Sequence, residues 1–104
     1  MSEQPGTIRT NQSGGFSFTV NPEAAASFHD EGIVILHAGN GRLFSSNATG
    51  ASIWRGVERQ LPWEAIAEEI CGEYEIARTT AREHTARFLA ELERHRLIRR
   101  EVAL

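Results

Sequence analysis

A chain of 104 residues holds one hydrophobic core, because domains run from about 50 to 200 residues and a second would leave neither with enough interior. Hydrophobic residues at 40% and charged residues at 24% match ordinary globular usage and argue against a wholly disordered or membrane-embedded chain. Fourteen acidic against eleven basic residues give a formal charge of -3, which disfavours non-specific attachment to nucleic acid or anionic lipid.

No apolar stretch approaches the roughly 18 residues that span a bilayer. The start, Met1-Ser2-Glu3-Gln4-Pro5-Gly6, lacks the basic and apolar regions of a secretory signal, so the cytoplasm is the expected location. The lone Cys71 has no internal disulfide partner and sits at helical spacing from Ile70 and Tyr74, the pattern of a reduced core thiol.

Residues 1 to 15 are rich in Ser, Gln, Asn, Gly, Pro and Thr and read as a flexible tail, which leaves a single domain over 16–104. Phe16-Ser17-Phe18-Thr19-Val20 alternates apolar and polar residues with the period of a half-buried strand, and Asn21-Pro22 stops it. Two placements suit this segment: an extra strand packing Phe16 and Phe18 on the body, or a cover for an open sheet edge. The cover can also exchange into a neighbouring molecule, so the expected state is a monomer or a strand-swapped homodimer.

From Ala25 to Ser46 the pattern predicts a three-stranded antiparallel meander: Ala25 to His29, a turn at Asp30-Glu31-Gly32, Ile33 to His37, a turn at Gly39-Asn40-Gly41, and Arg42 to Ser46. Asn-Gly between strand-like runs suits a type I′ turn, in which both residues take positive φ. Ile33-Val34-Ile35-Leu36 is apolar at every position, which predicts a middle strand covered on both faces and makes Arg42 to Ser46 the exposed edge.

Beyond Asn47 the period becomes helical. Asn47 caps a helix over about 48–59 carrying Ala51, Ile53, Trp54 and Val57. Pro62 opens a second helix with Ile66, Ala67, Ile70 and Tyr74 on one side, ending near Gly72. A third begins between Ala77 and Ala81, where Thr80 and Glu83 form a capping-box pattern, and ends near Arg96. Ala81, Thr85, Phe88 and Leu92 mark its inner side, and Leu97, Ile98 and Val102 pack its exit. The expected fold is therefore α+β, a three-stranded meander followed by three helices.

The block Gly41-Arg42-Leu43-Phe44-Ser45-Ser46-Asn47-Ala48-Thr49-Gly50-Ala51-Ser52-Ile53-Trp54 resembles the strand-to-helix signature of the PqqD-like peptide chaperones, with Asn-Ala-Thr-Gly and Ile-Trp as its most specific part. Trp63-Glu64-Ala65-Ile66-Ala67, Tyr74-Glu75-Ile76, Phe88-Leu89-Ala90-Glu91-Leu92 and Leu97-Ile98 follow in the family's order, so the resemblance covers residues 16 to 98. Ser46, Arg59-Gln60 and Arg96 depart from the pattern of the quinone-specific subgroup. The resemblance implies a winged-helix-like recognition element of ribosomally made, post-translationally modified peptides. Such an element performs no chemistry and needs no cofactor. Its expected partners are a precursor's leader peptide and a modifying enzyme, whether radical SAM enzyme, cyclase or leader protease.

Strand addition to a sheet edge suits that role, and Arg42, Leu43, Phe44, Ser45 and Ser46 are the candidate edge. On the third helix Arg78, Arg82, Thr85, Leu89 and Arg96 fall on one stripe at about 100° per residue, which predicts a partly basic flank for the bound peptide. Arg82 to Arg100 holds six Arg and three Glu, whereas Glu58 to Glu75 holds six Glu and one Arg, so an acidic leader is drawn to the third helix.

Other chemistries find less support. Glu91 and His95 stand four apart, a spacing metal sites use, but no second cluster supplies further ligands, and both read as surface residues. His29, His37, Ser52 and Cys71 form no nucleophile motif. The alternative function is a winged-helix DNA-binding regulator, against which stand the net charge and the acidic second helix.

Overall fold

The computed structural model describes residues 16–101. Its elements in chain order are β1 (Ser17–Val20), β2 (Ala24–His29), β3 (Gly32–His37), β4 (Arg42–Asn47), α1 (Ala48–Glu58), α2 (Trp63–Tyr74), α3 (Arg78–Arg94) and β5 (Ile98–Glu101). The tail over 1–15 and Val102 lie outside the described residues.

The meander forms as the strand and turn pattern predicts, with antiparallel order β2-β3-β4 and the pairs Ile33↔Ser46, Ile35↔Phe44 and His37↔Arg42 fixing the register of the last strand. The β3–β4 turn differs from the expected form. His37 and Arg42 close a four-residue loop in which Gly41 has φ 73° and Asn40 keeps negative φ, its Oδ1 accepting a 3.0 Å hydrogen bond from the Arg42 amide. At the other end Gly32 lies so close to β4 that a Cβ there would collide with the Ser46 carbonyl oxygen.

Both faces of β3 were expected to be covered; only one is. Ile33 and Ile35 are buried, whereas Leu36 and its cross-strand partner Leu43 are exposed on the other face. The apolar run is continuous because the segment satisfies a core on one side and presents side chains to the surroundings on the other.

β1 is the extra strand, paired antiparallel with β5 from Ser17↔Glu101 to Val20↔Ile98. It therefore does not cover β4. Phe18 is buried, the Trp63 amide donates to the Phe16 carbonyl at 3.0 Å, and Arg100 stacks over the Phe16 ring at 4.6 Å. Of the residues expected only to pack the exit of the last helix, Ile98 is drawn into this ladder as its first residue.

Asn47 caps α1 as expected, its Oδ1 accepting from the Gly50 amide at 3.0 Å. The capping box on α3 does not form. Ala77 is the cap and Thr80 lies inside the helix, which starts at Arg78, and Ile76 just before it packs on the core. α2 runs past Gly72 to Tyr74 and ends at Glu75 in the left-handed conformation. α1 and α3 end alike: Gln60 and Arg96 take φ 61°, and the amides of Leu61 and Leu97 reach back to the carbonyls of Gly56 and Leu92. Trp54, Ile53, Val57, Ile66, Ile70 and Leu92 join Ile33 and Ile35 in one core.

Two glycines and one threonine give direct tests. Gly72 faces open space on α2, so Gly72→Ala should stabilise by about 0.5–1 kcal/mol through helix propensity. A Cβ on Gly56 would stand 2.8 Å from Cγ1 of buried Ile66, so Gly56→Ala should destabilise, overpacking of about 1–3 kcal/mol outweighing the roughly 1 kcal/mol of propensity. Urea midpoints moving the same way for both would contradict the helix packing. Thr85 is fully buried and its Oγ1 finds no partner among the described residues, so Thr85→Val should be neutral or stabilising by up to about 1 kcal/mol. A clear loss of stability would show that the hydroxyl has a partner.

Candidate peptide-binding groove

β4 is the last strand of the main sheet and pairs only with β3 among the described residues, so its outer edge keeps a row of unpaired backbone groups. Its side chains alternate. Arg42, Phe44 and Ser46 share the helix-side face with buried Ile33 and Ile35, while Leu43 and Ser45 point the other way, Leu43 being 69% exposed.

α3 runs alongside this edge in the opposite direction. One depression of about 320 Å³ lies between Ser46, Asn47, Thr49 and Gly50 on one side and His84, Arg87 and Phe88 on the other. A second of about 330 Å³ is lined by His37, Arg42, Phe44, His95 and Leu97. Between them the rings of Phe44 and Phe88 meet edge to face at 5.9 Å, and the His95 ring lies 5.1 Å from Phe44. Lengths agree: His84 to His95 rises about 17 Å along a helix, and Arg42 to Asn47 extends about 17 Å along a strand. The two depressions lie in line between β4 and α3, with the Phe44 and Phe88 rings meeting between them, and together make a groove beside the open edge.

The predicted edge residues Arg42 to Ser46 occupy this groove wall or the rim beside it. The predicted α3 stripe does not. Thr85 is fully buried and Leu89 is 3% exposed, so both belong to the core. Arg78 and Arg82 face α2: Arg78 pairs with Glu68 at 3.1 Å, and Arg82 lies 3.6 Å from Glu64 and stacks over Trp63 at 4.8 Å. Arg96 ends α3 in the left-handed conformation and lines a separate depression with Val20, Pro22 and Ile98.

The groove side of α3 carries His84, Arg87, Phe88, Glu91 and His95 instead, about a third of a turn from the predicted stripe at 100° per residue. A signal for this orientation was present in the sequence. Glu64 and Glu68 on α2 have the same four-residue spacing as Arg78 and Arg82 on α3, the arrangement of a charge ladder between antiparallel helices, and that ladder turns the Arg pair away from β4.

His37 and His95 make local contacts. The Gly39 amide donates to His37 Nδ1 at 3.1 Å, holding the β3–β4 loop, and His95 Nε2 lies 3.7 Å from Glu91. Cys71 Sγ contacts the Ile76 carbonyl at 3.1 Å at the α2–α3 turn. Among the described residues no three His, Cys, Asp or Glu side chains gather to hold a metal, and no helix is long and apolar enough to cross a membrane.

Comparison with known proteins places the fold. Among curated protein sequences none matches the chain. Among solved structures, TbiB1 in complex with the TbiA(beta) leader peptide is similar with a TM-score of 0.73 and 28% identity, over 83% of this chain and 99% of that one. Lasso peptide synthetase B1 complexed with the leader peptide is similar with a TM-score of 0.71 and 26% identity, over 79% and 96% of the two chains. The family model of coenzyme PQQ synthesis protein D (PqqD) matches residues 32–98, from the start of β3 through all three helices to the first residue of β5, and the chain belongs to that family.

Proposed function

We propose that this domain is a non-catalytic peptide chaperone that takes the leader region of a ribosomally made precursor as an added strand along β4 and presents the remainder to a modifying enzyme. The observation that carries this reading is the unpaired edge of β4 beside an aromatic-floored groove, in a fold whose similar structures are complexes with leader peptides. Main-chain hydrogen bonds to the edge supply affinity with little demand on sequence, and the depressions beside it read alternate side chains. The cytoplasm, where precursors are made, is the compartment this role requires.

No observation favours the DNA-binding alternative. The basic side chains at the start of α3, which a helix-turn-helix would offer to phosphates, are engaged by Glu64 and Glu68 of α2.

Strand addition makes a periodic prediction. In synthetic leader segments from short precursor reading frames neighbouring this one, N-methylation of successive amides should weaken binding about fivefold or more at every second position and little at the positions between, because alternate N–H groups point to the partner strand. A flat profile would contradict addition to the edge. Arg87→Glu should weaken the same binding about two- to tenfold, while Arg82→Glu, equal in charge change but on the α2 side, should change it less. Titration by fluorescence anisotropy reads both, and equal losses would reduce the effect of Arg87 to overall charge.

A further inference from the structure

The ten described arginines divide by location. Arg59, Arg78, Arg82, Arg94, Arg99 and Arg100 each pair with a Glu carboxylate within 4 Å. Arg55 stacks over Phe28 at 4.2 Å. Arg96 lies at the far end of α3 outside the groove. The remaining two, Arg42 and Arg87, make no ion pair among the described residues, and both line the groove, one in each depression. Among the described lining residues the one carboxylate is Glu91, which pairs with Arg94 at 2.5 Å.

Their positions set a spacing. Arg42, Phe44 and Ser46 alternate along one face of β4, and Arg87 stands across from Ser46. From Arg42 to Ser46 is four residues, about 13 Å of strand at 3.3 Å per residue. An added strand presents side chains to the groove at every second residue. One therefore lies by Arg42, one over Phe44 and Phe88, and one by Arg87.

Resting on the reading of β4 as a strand-addition edge, we propose that Arg42 and Arg87 select peptides bearing the pattern acid, any, apolar, any, acid, with both carboxylates and the apolar side chain on the groove face. The unpaired guanidiniums receive the carboxylates and the aromatic floor receives the apolar group. The pattern is symmetric, so it holds for either direction of the added strand. With no carboxylate partner among the described residues, both guanidiniums offer their charge to the groove, whereas Glu91 is engaged by Arg94.

The test uses the full chain and a synthetic probe, Ac-Thr-Thr-Glu-Thr-Leu-Thr-Glu-Thr-Thr-NH2, titrated by NMR. Its isomer Ac-Thr-Glu-Thr-Thr-Leu-Thr-Thr-Glu-Thr-NH2 moves both acids to the opposite face and should bind about three- to tenfold more weakly. Arg87→Glu should lose affinity for the probe and regain it for one of the two peptides in which a single Glu becomes Lys, while Arg42→Glu should regain it for the other. That reciprocal rescue fixes the strand's direction.

Equal binding of the two isomers, equal rescue of both variants by both Lys peptides, or no binding of the probe at millimolar concentration would overturn the selectivity. Arg42→Gln and Arg87→Gln, with circular dichroism, separate lost charge from lost folding. A period-two N-methylation profile without charge register would sink this inference and leave strand addition standing; a flat profile would sink strand addition itself.

Discussion

β1 and β5 pair with each other rather than with the meander, and that pairing leaves the main sheet three strands wide with one side of β4 open. Phe18 anchors the arrangement from within the core, and the hydrogen bond from the Trp63 amide to Phe16 ties the start of β1 to α2. A strand held this way does not compete for β4. The open edge is thus a consequence of where the chain buries its N-terminal aromatic residues, and the groove exists because α3 is packed at the distance set by Phe44 and Phe88.

Electrostatics then divides the surface of α3. On the side facing α2, the Glu64–Arg82 and Glu68–Arg78 pairs are exposed and worth little individually, roughly 0–1 kcal/mol each. Their larger effect is to occupy the basic side chains there. On the groove side Arg87 has no such partner among the described residues, so its positive charge lies beside the open edge of β4. In the proposed complex the two features reinforce each other: main-chain pairing would fix the register, and register would bring side chains to the charges.

Much of this was legible in the residues. Strand-like runs separated by turns at Asp30-Glu31-Gly32 and Gly39-Asn40-Gly41 marked the meander, Asn47 marked the start of α1, and the Asn-Ala-Thr-Gly and Ile-Trp block marked the family. The α3 groove residues were not, because a helical wheel orders side chains around an axis without saying which neighbour each side meets. A stripe of Arg looked like a binding flank until α2 supplied its Glu partners. β5 escaped notice for a related reason: Ile98-Arg99-Arg100-Glu101 has only one apolar residue, and it becomes a strand because β1 offers it a ladder. The uncovered face of β3, with Leu36 and Leu43 exposed, shows the same limit, since an apolar run reports burial potential and not the neighbour that realises it.

The central claim is that a leader peptide adds to β4 within the groove bounded by α3. Amide hydrogen exchange of the full chain with and without a bound leader segment tests it most directly. Strand addition should bring new protection concentrated in alternate amides of Arg42 to Asn47, with chemical-shift changes at Phe88 and His95 and none at Trp63, Arg78 or Arg82. Unchanged exchange along β4, with the response located instead at the α2–α3 face, would contradict it.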